Sequence, residues 1–357
     1  MSPVRVLVVD DSLTVRQRLV EMLERAPDVE VVGEAADGRG AVELTAALRP
    51  DVVTLDIVMP DMTGLAATEQ IMAHHPTPIL IVSSSFNRGE LFDTYAALAA
   101  GAVDVLDKPT ADDDERWEQR FLDAVRMVAR IKVITHPRAR LGALGRSKGT
   151  SRPPERPPAR RAERPRPRIV AIGASTGGPG ALVNVLGAIA PAFPLPIVII
   201  LHIDARFASA FAEWLAKQCQ HSVRIAADGE RLDAAAGAVL IAPASHHLVV
   251  RAGRTELVDT PPRNHCKPSI DVLFDSVAAE YGPDAAACLL TGMGRDGAAG
   301  LLSIRKAGGL TIAQDEASSV IYGMPREASA IGAVERVLSL DEIGPALDAL
   351  RAQQEPR

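Results

Sequence analysis

The chain has 357 residues, and at roughly 150 per domain that length favours two domains. Its 47% hydrophobic content excludes wholesale disorder, while a net charge of −6 and only 3% aromatics argue against a nucleic-acid binder that stacks bases. Three cysteines (Cys219, Cys266, Cys288) form an odd set without C-x-x-C spacing, which speaks against a disulfide framework or a Cys-rich zinc site.

In the first part of the chain, short β-branched runs at Val4–Val9, Val29–Val32, Val52–Leu55, Ile79–Val82 and Ala102–Leu106 have the pattern of buried parallel strands. Helical patterns lie between them. In the first, Val15, Leu19, Met22 and Leu23 share a face, and Ser12 fits an N-cap. Five such units predict a flavodoxin-like (βα)5 sheet. The apolar run before Asp10 is too short for a signal peptide. The longest later run, Leu195 to Leu201, is far below the roughly 18 residues of a spanning helix, so a cytoplasmic protein without membrane insertion is expected.

Charge is unevenly spread. Residues 1–136 hold 13 Lys/Arg against 23 Asp/Glu, residues 137–168 hold 11 against 2, and residues 169–357 hold 15 against 20. The basic stretch also carries seven prolines and little apolar material, the composition of a stiff, extended tether. The expected domains are therefore 1–136 (core 3–121), a Pro/Arg-rich linker at 137–167, and 168–357. A basic run can bind nucleic acid or anionic lipid. Without aromatics or an amphipathic period, a tether between two acidic domains is the better account.

The last part opens with a strand at Arg168–Gly173, a Gly-rich turn, and a helix carrying Leu182, Val185, Leu186 and Ile189. A strand at Ile197–His202 and a helix follow. A β-rich middle comes next, at Val223–Ile225, Val239–Ile241, Leu248–Arg251 and Glu256–Val258, before strand–helix alternation resumes at Ala286–Thr291 and Leu310–Ala313. A second doubly wound α/β domain with an antiparallel excursion is predicted.

Ligands of doubly wound sheets bind beyond the carboxyl ends of the strands. In the first domain those ends carry Asp10 and Asp11, Asp56, Ser83 and Lys108. Three converging carboxylates suit a hard ion of the Mg²⁺ type, and a carboxylate is also a nucleophile towards phosphorus. The segments VLVVDDS, VVTLDIVMPDMTG, ILIVSSS and VDVLDKP resemble a response-regulator receiver domain over about residues 3–121. The resemblance implies that Asp56 accepts phosphate from a histidine kinase, that Asp10, Asp11 and Asp56 hold Mg²⁺, and that Ser83 and Lys108 read the phosphoryl group. Val58 and Val105 depart from the receiver pattern, which often has a polar residue and an aromatic there.

In the second domain, Gly173-Ala174-Ser175-Thr176-Gly177 fits G-x-S-x-G on a strand-to-helix turn, where a serine hydroxyl is exposed. His202 ends the next strand and is a candidate base. Asp296 follows a later strand and is a candidate for orienting the imidazole. The order Ser, His, Asp disfavours an α/β-hydrolase, which runs Ser, Asp, His. Other readings stay open on the residues alone. A Gly-rich turn can bind phosphate, His246 and His247 are rival bases, and Gly292 to Gly297 is G-x-G-x-x-G with Asp315 about 20 residues on, as in dinucleotide sites.

The segments IVAIGASTGGPGAL, IILHIDARFASAFAEWL, VLIAPASHHLVV, HCKPSIDVLF, LLTGMGRDGAAGL and GGLTIAQDEASSVIYGMPREA resemble the catalytic domain of the CheB protein-glutamate methylesterase family over nearly all of 168–350. The resemblance implies that Ser175 is the nucleophile, His202 the base and Asp296 its orienting acid. It makes the Met293 amide an oxyanion donor and places Thr176 at the site. It implies a phosphorylation-activated hydrolase acting on glutamate methyl esters, and in some members on glutamines, of methyl-accepting chemoreceptors. The phosphodonor is then a histidine kinase of the chemotaxis type, and the esterase domain needs no cofactor. Asp204 and Cys266 stand where family members commonly have Pro and Arg. The alternatives are a response regulator whose output is binding, which has only the basic linker in its favour, and a paralogous methylesterase serving another signalling array.

Overall fold

The computed structural model describes residues 2–84, 88–109, 115–131, 166–203 and 205–353. Nearly all of the proline- and arginine-rich linker, and Asp204, lie outside the described residues.

Chain order in the first part is β1 Val4–Val9, α1 Leu13–Glu24, β2 Val29–Ala35, α2 Gly38–Leu48, β3 Val52–Leu55, α3 Gly64–His74, β4 Ile79–Ser83, α4 Arg88–Ala100, β5 Asp104–Asp107 and α5 Glu115–Val128. The strands form one parallel sheet in the order β2-β1-β3-β4-β5. Helices on both faces explain why every residue of β3 and β4 is buried. Ser12 caps α1 by accepting from the Val15 amide at a long 3.5 Å, and Leu19, Met22 and Leu23 are buried as the helical period requires. α3 starts hard against the end of β3, where a Cβ on Gly64 would stand 2.0 Å from the Asp56 carbonyl oxygen. Only glycine permits that approach, which fixes the loop around Asp56.

The second part runs β6 Ile169–Ala174, α6 Gly178–Gly187, β7 Ile197–Leu201, α7 Ala205–Gln218, β8 Ser222–Ile225, β9 Ala238–Ile241, β10 His247–Arg251, β11 Arg254–Val258, α8 Ile270–Tyr281, β12 Ala285–Leu289, α9 Ala298–Lys306, β13 Leu310–Gln314, α10 Met324–Ala330, β14 Arg336–Leu338 and α11 Leu340–Asp348. Seven parallel strands form the sheet β14-β13-β12-β6-β7-β9-β8, and β10 and β11 pair as an antiparallel hairpin. The antiparallel excursion is thus limited to that hairpin. β8 and β9 join the main sheet in parallel register, Val223 beside Val239. β14 lies on the far edge beside β13; at three residues it is too short for a periodic signal. β6 is central, so its carboxyl end falls where neighbouring connections diverge to opposite sides, the usual site of ligand binding in such sheets.

The two parts touch through α4, which lies against α6 and α7. Tyr95 is fully buried there. Its hydroxyl donates to the Phe207 carbonyl, and its ring meets Phe211 edge-on at 5.3 Å and Trp214 at 5.4 Å. Lys217 sits 4.4 Å from the centroid of the Phe92 ring, and Arg88 pairs with Glu213. The aromatics carry most of this contact, because exposed ion pairs contribute little. No helix among the described residues is long and apolar enough to cross a membrane.

Candidate active site and phosphoacceptor pocket

β6 ends at Ala174, and the chain turns through Ser175, Thr176 and Gly177 into α6. Gly177 has φ +77°, a conformation that suits glycine, and it brings the helix start behind Ser175. The Ser175 amide is tied to the Thr291 carbonyl at 3.0 Å, which joins this turn to the loop after β12. A Cβ on Gly292 would lie 2.6 Å from the Ser175 Cβ, so glycine there keeps the two turns in contact. β7 lies beside β6, and the His202 amide continues their pairing by donating to the Ala174 carbonyl at 3.0 Å.

His202 Nε2 is 3.0 Å from Asp296 Oδ2. Asp296 is buried and heavily supported. Oδ1 accepts from the Ser269 hydroxyl at 2.7 Å and from Asn264 Nδ2 at 3.2 Å, and Oδ2 accepts from the Ile270 amide at 2.7 Å. Burial pushes this carboxyl up, but the bonds from His202 and Ser269 outweigh it and hold Asp296 below the usual carboxylate range. Burial also opposes charge on His202, yet Asp296 and Cys266 prevail and raise the imidazole to about 9.

Ser175, Thr176 and His202 line one cavity of about 370 Å³, whose other wall comes from Leu98, Asp104 and Val105 of the N-terminal part. The Ser175 hydroxyl and the His202 ring are not hydrogen-bonded to each other. With Asp296 on Nε2, the nitrogen left for the cavity is Nδ1. Met293 is exposed, and its amide has no partner among the described residues, so that donor is free. Thr291, behind the Ser175 turn, donates its hydroxyl to the Thr176 carbonyl at 3.0 Å.

The rival bases are otherwise engaged. His247 is buried, accepts from the Ser269 amide at Nδ1 and bonds the Pro261 carbonyl through Nε2, so it braces the loop that holds Asp296. His246 bonds its neighbour Ser245. Asp315 accepts from Ser318 and closes a turn rather than facing an open crevice.

Asn264, Ser269 and Cys266 were not singled out by spacing. They sit on an irregular loop with positive φ at Asn264 and His265, and nothing in the residue pattern marks that bend.

In the first sheet, Lys108 Nζ lies 2.8 Å from Asp56 Oδ2 and 2.9 Å from Asp10 Oδ2. Asp10, Asp11 and Asp56 bring carboxylate oxygens within 4.8 Å of one another, with Asp10 and Asp56 buried and Asp11 exposed. Burial raises the Asp56 carboxyl to about 6 even against the pull of Lys108. One ammonium does not balance three acids, and an all-oxygen donor set fits a hard divalent ion of the Mg²⁺ type. Ser83 is buried at the end of β4, and the Lys108 amide donates to its carbonyl at 3.0 Å. All five expected residues therefore meet at one sheet edge. Val58 is exposed beside them, and Val105 is on the wall of the cavity lined by Ser175 and His202.

The CheB methylesterase model matches residues 170–347, and the response regulator receiver domain model matches residues 6–116. The chain is 44% identical to protein-glutamate methylesterase/protein-glutamine glutaminase 2 of Anaeromyxobacter dehalogenans, over 98% of this chain and 97% of that protein. It is 43% identical to protein-glutamate methylesterase/protein-glutamine glutaminase 4 of Geobacter metallireducens, over 98% and 100%. A solved structure, the CheB methylesterase catalytic domain of Thermotoga maritima, is 34% identical and covers 52% of this chain and 98% of its own, with a TM-score of 0.49. On that full-length similarity, the chain belongs to the CheB methylesterase family and carries a response regulator receiver domain ahead of its hydrolytic half.

Proposed function

We propose that residues 1–136 form a receiver, residues 137–167 a tether, and residues 168–357 a Ser-His-Asp hydrolase that removes methyl groups from glutamate γ-esters on methyl-accepting chemoreceptors. The His202–Asp296 pair in the cavity lined by Ser175 carries this reading. Ser175 Oγ attacks the ester carbonyl, and His202 Nδ1 takes the hydroxyl proton. The Thr176 and Met293 side of the cavity meets the oxyanion, with the free Met293 amide as donor. Methanol leaves with the proton from His202. Water then attacks the acyl-enzyme, again through His202, and glutamate and the free serine result. Ser175 and His202 are not hydrogen-bonded to each other, and they close on each other when substrate fills the cavity. Glutamine side chains react by the same route, more slowly, because ammonia is the poorer leaving group and must be protonated by His202.

The phosphodonor is a histidine kinase of the chemotaxis type acting in the cytoplasm, and Asp56 is the acceptor. Asp10, Asp11 and Asp56 hold Mg²⁺, which supplies charge neutralisation for the phosphoryl oxygens. Lys108 and Ser83 meet the phosphoryl group once formed. The receiver wall of the cavity, Leu98, Asp104 and Val105, supports a gate in which the unphosphorylated receiver covers Ser175. The test is methanol release from methylated receptors: Ser175→Ala is expected to abolish it, and retention of most activity would sink the assignment.

A further inference from the structure

His202 Nδ1, the nitrogen that Asp296 leaves open, faces Cys266 Sγ at 3.8 Å. Ligand atoms of His202, Cys266 and Asp296 all lie within 4.8 Å of one another. A tetrahedral Zn²⁺ binds sulfur at about 2.3 Å and imidazole nitrogen at about 2.0–2.1 Å, which sets the two donors about 3.5 Å apart. The observed separation is only a few tenths of an ångström larger. The Asp296 carboxylate on Nε2 is the companion that metal-bound imidazoles usually have, since it fixes the ring and leaves the lone pair on the other nitrogen. Both donors are half-buried on the wall of the open cavity, and Ser175 and His265 line the same space. The other two cysteines lack this setting: Cys219 bonds the Leu215 carbonyl and Cys288 is fully buried in β12.

We propose that the hydrolytic cavity is also a binding site for a soft divalent cation of the Zn²⁺ type, held by His202 Nδ1 and Cys266 Sγ, and that its occupation switches the hydrolase off. The inhibitory half rests on the role assigned to His202. The lone pair that would accept the Ser175 proton is the one given to the metal, so a bound ion removes the base. Binding displaces the thiol proton of Cys266, and the Nδ1 proton of His202 where the ring is protonated, and these protons go to solvent. Mg²⁺ does not compete, because a hard ion prefers the oxygen donors of the receiver to a thiolate.

The experiment uses the full-length chain in excess Mg²⁺, titrated with Cd²⁺ alone and with Zn²⁺ alone. Cd²⁺ is expected to give an ultraviolet thiolate-to-cadmium band that saturates near one equivalent and is lost in both Cys266→Ser and Cys266→Ala. Zn²⁺ is expected to suppress methanol release reversibly, with a chelator restoring it. Half-inhibition of the Cys266 variants, relative to their own metal-free rates, should need about tenfold more Zn²⁺ or beyond. A cadmium band of unchanged amplitude in both variants, or equal zinc sensitivity, would overturn the site. The band reads binding without turnover. A wild type that binds Cd²⁺ through Cys266 but releases no methanol without metal would therefore condemn the hydrolase reading and leave the site standing.

Discussion

Asp296 Oδ2 lies 3.0 Å from His202 Nε2, so the carboxylate fixes which face of the imidazole meets the cavity. It also sets when that ring is a base. A neutral imidazole is required to take the serine proton, and the folded protein holds His202 protonated up to about 9. Methanol release is therefore expected to rise with pH towards 9. In Asp296→Asn the limb should move down towards the ordinary imidazole range, with the plateau rate about 10³- to 10⁴-fold lower. The sign for stability follows from the same shift. The pair's contribution is fully present below the ordinary imidazole value and is lost as pH rises through about 9. A pH–rate profile that keeps its position in the variant would contradict this coupling.

Ser269 acts one step further back. Its hydroxyl supplies the 2.7 Å bond to Asp296 Oδ1, and Asn264 at 3.2 Å and the Asp271 amide at 3.3 Å are weaker supports on that oxygen. A hydrogen bond to a charged group contributes about 1.5–3 kcal/mol, so Ser269→Ala should lower kcat by at least about tenfold. KM should change little, because Ser269 is buried behind Asp296 and does not line the cavity. Ser269→Thr should recover part of kcat by restoring the donor. A loss confined to KM would place Ser269 in substrate binding instead.

Tyr95 is the residue on which the domain contact turns. Its hydroxyl bonds the Phe207 carbonyl and its ring packs against both Phe211 and Trp214. Tyr95→Phe removes one neutral hydrogen bond, worth about 1 kcal/mol, and should raise the basal rate of unphosphorylated protein about fivefold if docking inhibits. Tyr95→Ala removes the ring as well and should take the basal rate much further. Methanol release without phosphodonor measures both, and unchanged basal rates would show that α4 does not close the cavity.

Much of this was legible because strand ends are where chemistry gathers in a parallel sheet. Asp10, Asp56, Lys108, Ser175 and His202 each follow a short apolar strand run, and each stands at the carboxyl end of its strand. What could not be read lies in segments without period. The loop from Arg263 to Ser269 has two left-handed residues and no repeat, yet it delivers Asn264 and Ser269 to Asp296 and Cys266 to His202. Val105 read as a departure from a receiver pattern; only the docking of two sheets shows it walling the cavity. Which strands of the β-rich middle pair antiparallel is not legible in the residues, because strand pairing depends on partners far along the chain.

The receiver wall of the cavity makes a last prediction about gating. If Leu98, Asp104 and Val105 exclude receptors from Ser175, a fragment of residues 168–357 should outpace the unphosphorylated full-length chain. Tethering makes docking intramolecular, at an effective concentration on the order of millimolar, so added receiver in trans should inhibit the fragment only weakly. A small-molecule phosphodonor with Mg²⁺ should bring the full-length rate up towards that of the fragment. Asp56→Asn removes the carboxylate that Lys108 holds at 2.8 Å and, with Asp56 the proposed acceptor, should leave the chain at its basal rate whatever phosphodonor is added. Equal rates for fragment and unphosphorylated full-length protein would rule out inhibition by the receiver, and stimulation of Asp56→Asn would move the phosphoacceptor elsewhere.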